Sequence, residues 1–399
     1  MPGPLSDLWR LAQEYATPLL VYQMVVTVFV AFTAVNALGD WVTFRRPGRA
    51  LTPPALGALT PLSVLIPARN EEAVIAACVR SLVEQDYPGR LEILILDDHS
   101  TDRTAAVARE AAGGDGRVRV IPGGEMLPGW KGKPNAIRQL AEAATGELLL
   151  LGDADCVFYP GALAAAVRHR EATGADCLSL IPYLDCRSFW EHVIIPLQYF
   201  IVFATLPIRN VYATKNPAFA AANGAFILID AATYAALGGH EPVRREMAED
   251  LKFAQHVKRC GYRLVYADGS TTYSVRMYDS LRGICEGFGK NLYSALGRSV
   301  GIVAVWSGFL WATQVLPFGF VAAALVTGDR SAAGWWLPLG HVAVALGLRA
   351  ALALRFRQAL WAVLTHPLGW VATIAITYYS TYLGLSGRGH AWKGRVYQT

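Results

Sequence analysis

The chain has 399 residues, of which 53% are hydrophobic and only 17% are charged, and its net charge is +5. Average soluble domains carry about 25% charged residues, so this composition indicates membrane segments in addition to a soluble domain. The basic residues form no long run with interleaved aromatic residues, which disfavours nucleic-acid binding. The six cysteines include no C-x-x-C pair, which argues against a zinc site and against a disulfide framework.

The first apolar segment, residues 17–39, carries no charge and is long enough to cross the ~30 Å hydrocarbon layer of a bilayer. A basic n-region and a small-residue cleavage site are both missing, and Asp7, Arg10 and Glu14 precede the segment, so we expect an uncleaved anchor and not a signal peptide. Arg45, Arg46 and Arg49 come directly after it. Because basic residues are enriched on the cytoplasmic side of membrane helices, they predict that this end of the helix faces the cytoplasm.

From residue 60 to about residue 295, short β-rich runs alternate with segments of helical periodicity. This alternation predicts an α/β fold, with a largely parallel sheet and helices on both of its faces. Ligands of such sheets bind beyond the carboxyl ends of the strands. We predict an anchor and linker in residues 1–50, the α/β domain in 51–298, and membrane or interfacial helices with a basic tail in 299–399.

Three apolar segments follow residue 300, and they predict two to three C-terminal transmembrane helices. Pro367 in the third segment is typical of an interfacial or re-entrant start. Two crossings place the basic tail inside, as the charge rule favours, so we expect one segment not to cross fully. A further apolar stretch, residues 183–212, is either an amphipathic surface against lipid or part of the core.

The stretch ELLLLGDADC ends an apolar run with Asp153 and Asp155. At the carboxyl end of a buried strand, both carboxylates reach the edge of the sheet where ligands bind. Oxygen ligands of this kind suit Mg²⁺ or Mn²⁺, which can bridge to a diphosphate. An ordinary turn at the end of a strand explains this short motif equally well.

A second acidic pair, Asp97 and Asp98, ends the run LEILILDD. One of the next residues, Ser100, Thr101 or Asp102, is expected to cap the following helix. Two carboxylates before the cap exceed what capping requires, and they suggest hydrogen bonds to a ribose or a base.

The first β-rich run continues as VLIPARNEE. We expect Pro67 and Ala68 to leave the strand, and the acidic residues after Asn70 to open a helix. Acidic residues in a first turn interact favourably with the helix dipole, which is sufficient to explain Glu72. Glu71 is equally open to that role and to a contact with a nucleotide.

Two lysines, Lys131 and Lys133, lie in the Gly/Pro-rich stretch LPGWKGKPNAI before the D-x-D strand, where a lysine can bind phosphate. Further on, Glu249 and Asp250 start an amphipathic helix in AEDLKFAQHV. They either stabilise its first turn, or Asp250 acts as a general base toward a hydroxyl or a carboxylic acid.

In this order and at these spacings, IPARNEE, LDDHSTDRT, GDAD, and AED followed by GYRLVY resemble family 2 glycosyltransferases, over residues 61 to 290. The resemblance implies a GT-A fold, which is Rossmann-like with a mostly parallel sheet, and a nucleotide-sugar donor. It implies that Asp155 ligates Mg²⁺ or Mn²⁺, and that Asp250, with Glu249 beside it, is the catalytic base. The expected donor-binding residues are Pro67, Ala68, Glu71, Asp97, Asp98, Lys133, Asp153 and Lys290.

Processive members of this family carry Q-x-x-R-W after the acidic helix. This chain has CEGFGKNLYSAL there, with Lys290 as the candidate replacement for the arginine and no tryptophan. The departure favours transfer of a single sugar. The N-terminal anchor, W-x-G-K before the D-x-D, HPL in the last apolar segment and the tail WKGRVY are similar to membrane-bound carotenoid glycosyltransferases and hopanoid-associated relatives.

The resemblance therefore implies an inverting, metal-dependent transfer of one hexose from a UDP-sugar, such as UDP-glucose, to a lipid acceptor at the cytoplasmic face of the cell membrane. A carotenoid or terpenoid acceptor is favoured, and a sphingolipid, diacylglycerol or polyprenyl phosphate is the alternative. A transporter is disfavoured, because His341 and Arg349 are too few polar groups for a path across the membrane. A non-catalytic binding protein would not need all of these acidic residues.

Overall fold

The computed structural model describes residues 18–44, 46–47, 59–386, 390–392 and 395–397. Seven strands form the main sheet in the order β3-β2-β1-β4-β8-β6-β9, and β5, β10 and β7 form a smaller one. The main sheet is parallel except for β8, which is antiparallel to β4 and β6. The predicted largely parallel sheet is confirmed. The strands are β1 (Leu62–Ala68), β2 (Leu91–Asp97), β3 (Val118–Pro122), β4 (Leu148–Gly152), β5 (Cys156–Phe158), β6 (Cys177–Ile181), β7 (Tyr183–Leu184), β8 (Phe226–Asp230), β9 (Leu264–Asp268) and β10 (Tyr273–Val275).

The helices of the α/β domain follow the strands in alternation, and further helices continue to residue 385. A short hairpin of β11 (His390–Trp392) and β12 (Arg395–Tyr397) follows. The helices are α1 (Pro18–Thr43), α2 (Ile75–Val83), α3 (Thr104–Ala112), α4 (Gly132–Ala143), α5 (Ala162–Thr173), α6 (Phe189–Ile194), α7 (Leu197–Thr205), α8 (Ile208–Ala213), α9 (Ala231–Ala236), α10 (Glu249–Arg259), α11 (Leu281–Ala295), α12 (Val300–Leu310), α13 (Leu316–Thr327), α14 (Leu337–Arg355) and α15 (His366–Leu385).

Alternate residues of each central strand pack on opposite faces of the main sheet. Leu65 of β1 belongs to the same buried cluster as Leu140 of α4, whereas the neighbouring Val64 belongs to a second cluster with Val79 of α2. This is the two-residue period of a strand that is buried on both sides. The predicted arrangement of helices on both faces is confirmed. All six cysteines lie in this part of the chain as free thiols.

The first strand is longer than predicted, because β1 includes Pro67 and Ala68. The carbonyl of Ala68 accepts a hydrogen bond from the Asp98 N–H at 2.8 Å, so residue 68 faces β2 and Pro67 faces the opposite side. On that side β4 pairs with β1 only as far as Leu65. No strand there requires the N–H that proline lacks, and the prediction that both residues leave the strand is wrong.

The helix after β1 starts later than predicted, at Ile75. Asn70 has a left-handed backbone with φ of 51°, and its side chain accepts a hydrogen bond from the Thr101 N–H at 2.8 Å. These contacts hold residues 70–72 in a turn against the end of β2. Glu71 and Glu72 therefore lie before the helix, and Glu72 accepts a hydrogen bond from the Arg103 N–H at 2.9 Å.

Three helices in the described ranges are long and apolar enough to cross a membrane: α1, residues 300–327 and residues 332–355. The second comprises α12 and α13, joined by a π-helical turn at Trp311–Val315. One N-terminal and two C-terminal candidate spans agree with the predicted fold class. Arg45 and Arg49, on which the predicted orientation depends, lie outside the described residues, as do the side chains of the WKGRVY tail.

The last apolar segment forms α15, which packs beside the second candidate span. Its first residue, His366, contacts Gln314 at 3.1 Å, near the middle of that span. Towards its other end, the Ser380 hydroxyl accepts a hydrogen bond from the Tyr293 N–H at 3.0 Å, in α11 just before the span begins. This helix therefore lies alongside one half of the span.

The stretch 183–212 is part of the core, and it lies between the α/β domain and the candidate spans. In α7, the carbonyl of Phe203 accepts a hydrogen bond from the Asn36 side chain of α1 at 3.0 Å. The ring of Tyr199 stacks on Phe356, directly after α14, at 3.9 Å between centroids. Because α7 contacts both α1 and the end of α14, it joins the two parts of the molecule.

Candidate active site

A cavity of about 490 Å³ lies at the carboxyl ends of the parallel strands. Its position follows the rule for ligand sites in open α/β sheets. Of the eleven site residues predicted from sequence, Asp97 is outside its lining. The other ten line it: Pro67, Ala68, Glu71, Asp98, Lys133, Asp153, Asp155, Glu249, Asp250 and Lys290.

Asp153 and Asp155 reach this cavity because the strand before them is held from both sides. The four leucines of β4 are buried between β1 and β8, and the strand ends at Gly152. The chain then turns, and Ala154 between the two acids is buried in the core. The two carboxylates are therefore presented together at the sheet edge.

Lys133, near the start of α4, bridges acidic residues from two separate parts of the chain. Its Nζ atom lies 2.7 Å from Asp153 Oδ1 and 3.0 Å from Glu249 Oε1. Burial lowers the pKa of Lys133, but the two carboxylates more than offset this, and the pKa lies well above its usual value. The lysine is therefore charged, and it links the D-x-D turn to the start of α10.

Asp250 lies next to this ion-pair cluster. One of its carboxylate oxygens accepts a hydrogen bond from the Gly224 N–H at 3.0 Å, and the other accepts from the Leu251 N–H at 2.8 Å. Burial raises the pKa of Asp250 to about 6, and repulsion from Glu249 adds to the rise, while Lys133 opposes it. A carboxylate with such a pKa is ionised at neutral pH and is basic enough to accept a proton.

Gly224, which no motif in the sequence indicates, lies between the two charged groups. A Cβ atom at this position would lie 3.0 Å from Lys133 Nζ and 3.3 Å from Asp250 Cβ. Any larger residue would press on both side chains. Glycine is therefore needed here for close approach and not for an unusual backbone angle.

The acidic pair after β2 separates into two roles. Asp98 is buried and lines the cavity. Asp97 instead accepts a hydrogen bond from the Ser100 N–H at 3.1 Å. The helix begins directly after Arg103, whose side chain does not cap it, and Asp102, one residue earlier, accepts a hydrogen bond from the Thr104 N–H at 2.9 Å. Asp97 and Asp102 therefore shape the turn that holds Asp98 at the cavity.

Apolar side chains line part of the cavity, and some of them belong to helices that contact the candidate spans. Val202 and Gln198 of α7 and Phe288 of α11 line it, together with Met277. The Gln198 amide donates a hydrogen bond to the Met277 sulfur at 3.3 Å. Because α7 contacts α1 and the end of α14, this apolar part of the cavity lies next to the candidate spans.

A divalent cation would be bound here mainly by Asp155, because Asp153 is engaged by Lys133. Within the described residues, no three histidine, cysteine or acidic side chains are grouped to hold a metal by themselves. Mg²⁺ is commonly bound by one or two carboxylates together with phosphate oxygens of a substrate. The all-oxygen donor set fits such an ion when a diphosphate completes it.

The central part of the chain is similar to a known family. Residues 63–229 match the family described as Glycosyl transferase family 2. The matched range includes Glu71, Asp98, Lys133 and both D-x-D aspartates, and it ends before α10.

Two curated relatives align with this chain over part of their own length. A 4,4'-diaponeurosporenoate glycosyltransferase of Staphylococcus haemolyticus is 27% identical over 60% of this chain and 62% of its own length. A beta-monoglucosyldiacylglycerol synthase of a Nostoc species is 37% identical over 30% of this chain and 25% of its own length. The chain therefore matches less than two thirds of either relative.

Among solved structures, a mannosyltransferase from Pyrobaculum calidifontis, in complex with GDP-mannose and Mn²⁺, is similar with a TM-score of 0.54. The similarity covers 92% of this chain and 99% of the other, at 17% sequence identity. At this identity the comparison shows a shared fold.

Proposed function

We propose that the chain is a family 2 glycosyltransferase with a GT-A fold, which transfers one hexose from a UDP-sugar, such as UDP-glucose, to a lipid acceptor. The observation that carries the proposal is that Lys133, Asp153, Asp155 and Asp250, from three separate segments, line one cavity at the sheet edge. The names of the relatives, which concern diaponeurosporenoate and diacylglycerol, support a lipid-related acceptor.

The donor would occupy the acidic end of the cavity. Asp98 and Glu71, which line the cavity, would hydrogen-bond to the nucleoside, and Lys133 would supply positive charge toward the diphosphate. A divalent cation held by Asp155 would neutralise charge that develops on the leaving nucleotide. Lys133 is already placed by two carboxylates, so it needs little reorganisation to serve the donor.

Asp250 is the proposed base for the acceptor. As the acceptor oxygen bonds to the anomeric carbon, the bond from that carbon to the UDP oxygen breaks, and Asp250 takes the acceptor proton. Attack from the face opposite the leaving group inverts the configuration. The Gly224 and Leu251 N–H groups fix the carboxylate, and holding both substrates in one cavity lowers the entropic part of the barrier.

We place the protein in the cell membrane through three crossings, with the α/β domain on the cytoplasmic side. Arg46 and Arg355, beside the ends of α1 and α14, both lie at the α/β domain, which agrees with basic residues facing the cytoplasm. The apolar part of the cavity is lined in part by helices that contact these spans, so an amphiphilic acceptor could present its head group to Asp250 without leaving the bilayer.

The test is product identification in membranes that contain the full-length protein. Membranes are given radiolabelled UDP-glucose, UDP-galactose or GDP-mannose with carotenoid, diacylglycerol or ceramide acceptors, and lipid products are identified by mass. The proposal expects one labelled hexose per lipid, from a UDP-sugar. Label transferred only to water, or repeated additions to one lipid, would contradict it.

Metal dependence is a separate part of the proposal. EDTA should stop transfer, and Mg²⁺ or Mn²⁺ added in excess should restore it, because the donor diphosphate would lose its cation. The Asp155→Asn variant should require a higher metal concentration than the parent. Transfer that continues unchanged in EDTA would remove the metal role assigned to Asp155.

A further inference from the structure

We propose that the acceptor is an uncharged lipid alcohol and that Asn291 binds its hydroxyl group beside Asp250. This inference rests on the proposed transfer of a sugar to a lipid. It adds the chemical class of the acceptor and a specificity-determining residue that no motif in the sequence indicates.

Asn291 of α11 lines the cavity, and its Oδ1 atom is buried without a hydrogen-bond partner among the residues that the structure describes. A buried amide atom without a partner costs roughly 1–3 kcal/mol, so such atoms in native proteins commonly await a ligand or a water. A half-turn of the amide places Nδ2 at the same point, so the group can accept or donate a hydrogen bond there.

The walls near Asn291 suit a lipid chain. Phe288 lies one helical turn before it on the same helix, and Val202 and Met277 face the cavity from other segments. Val202 belongs to α7, which also contacts α1 and the residue after α14. An apolar chain along this wall would therefore run from the candidate spans toward the charged end of the cavity.

The charge of the cavity disfavours an anionic acceptor. Seven acidic side chains line it, against four basic ones, and Lys133 is already bound to two of the acids. A cation and the donor diphosphate largely cancel each other. A carboxylate brought beside Asp250 would meet a second negative charge in a partly buried site, whereas a neutral hydroxyl would not.

The reaction of an alcohol also uses both groups. The hydroxyl proton points to Asp250, which accepts it, and the Asn291 amide donates a hydrogen bond to the same oxygen. The oxygen then bonds to the anomeric carbon while the bond to UDP breaks. A carboxylic acid, which is already ionised at neutral pH, would have no proton to give to Asp250.

The experiment compares two acceptors with the same chain, geranylgeraniol and geranylgeranoic acid, with 1,2-dioleoylglycerol as a second alcohol. Full-length protein in membranes is supplied with the nucleotide sugar that supports transfer. The carboxylate of the acid is repelled by Asp250 and has no proton to transfer to it. We therefore expect kcat/KM for the alcohols to be at least about tenfold higher than for the acid.

Two variants test Asn291 itself. Asn291→Leu removes the amide at similar size, and Asn291→Asp keeps hydrogen-bond acceptors but no donor. Both should raise the KM for the alcohol about tenfold, the value of one lost hydrogen bond in a buried site, with the donor KM and UDP binding unchanged. Glu286→Leu, on the same helix but outside the cavity lining, is the matched control and should leave both KM values unchanged.

Each result has a distinct meaning. Transfer to the acid in preference to both alcohols would overturn the inference and leave lipid glycosylation standing. A changed donor KM in the Asn291 variants would place this residue at the donor, and unchanged KM values would remove its role. If no lipid is glycosylated while UDP is still released, the proposed function fails, and the inference fails with it.

Discussion

Two clusters of charged residues in this protein differ in how completely they are closed. At the end of β9, Asp268 is fully buried and accepts hydrogen bonds from Arg46 at 2.8 Å and from the Ser270 hydroxyl at 2.6 Å. Arg355, the last residue of α14, lies 3.1 Å from the same carboxylate oxygen that Arg46 contacts. Every partner belongs to the protein, and the cluster ties the α/β domain to the ends of two candidate spans.

The cluster around Lys133 is open instead. About a third of the Lys133 and Asp153 side chains remains exposed to the cavity, although both are ion-paired. Asp250 beside them keeps a raised pKa, because burial and repulsion from Glu249 together outweigh the opposing effect of Lys133. In a closed cluster every charged group is bonded within the protein, so none can bind a ligand. In an open cluster a charged group can exchange a protein partner for a substrate. This difference separates a structural charge cluster from a catalytic one.

The largest expected effect is on the open cluster. The Asp250→Asn variant keeps the shape of the side chain but cannot accept the acceptor proton, so transfer should fall by about 10²–10⁴-fold. UDP binding, measured by calorimetry, should remain, because Asp250 serves the acceptor. Loss of UDP binding together with transfer would instead place Asp250 at the donor.

The closed cluster should respond in stability and not in chemistry. Asp268→Asn leaves Arg46 and Arg355 without their buried counter-charge, and we expect a loss of about 3–5 kcal/mol in the free energy of unfolding. Thermal unfolding in detergent measures it. Glu286→Gln, whose pair with Arg282 is exposed, is the control and should change stability by less than about 1 kcal/mol. A stable Asp268→Asn variant with lost transfer would show that this cluster also serves catalysis.

Sequence reasoning was successful where one segment carries the whole signal. The D-x-D acids follow a run of buried leucines, and the rule for strand ends places them at the cavity. The prediction for Pro67 was wrong, because neither strand's sequence alone shows how far β1 and β4 pair. The Lys133–Glu249 pair joins segments over 100 residues apart, and no local pattern reports such a contact.

Gly224 and Asn291 show the same limit. The first matters because Lys133 and Asp250 approach its Cα, and the second because its amide is buried beside a cavity. Both properties arise from packing between distant segments. Asp97 and Asp98 are adjacent and identical in type, so the sequence does not distinguish them. Only the conformation of the turn directs Asp98, and not Asp97, to the cavity.

A smaller loss of activity is expected when the side chains of the open cluster are shifted but remain present. Gly224→Ala places a methyl group 3.0 Å from Lys133 Nζ, and shifting Lys133 and Asp250 by a few tenths of an ångström should lower kcat/KM about tenfold. Gly116→Ala has nothing within 4 Å of the added atom and serves as the control. Equal activity of the two variants would mean that the position of Lys133 does not limit the reaction.

The smallest effect concerns pH, and it follows from the pKa of Asp250, which is raised to about 6. Below pH 6 the carboxyl group is protonated and cannot act as a base, so kcat/KM should be halved at about pH 6 and fall about tenfold per unit below it. The same shift has the opposite sign for stability. Between about pH 4 and pH 6 the folded protein binds a proton that the unfolded chain does not, so this group's contribution to stability decreases as pH rises.

Activity and this part of stability should therefore change in opposite directions over the same interval. The side chain in Asp250→Asn does not titrate, so this variant should lose the pH-dependent part of activity and of stability that Asp250 contributes. From pH 4 to pH 6 the parent should therefore lose stability relative to the variant. Unfolding curves of the two proteins at several pH values measure it, alongside rates for the parent. A rate that is level down to pH 5 would mean that Lys133 holds Asp250 ionised despite its burial, and ion pairing would then dominate the open cluster as it does the closed one.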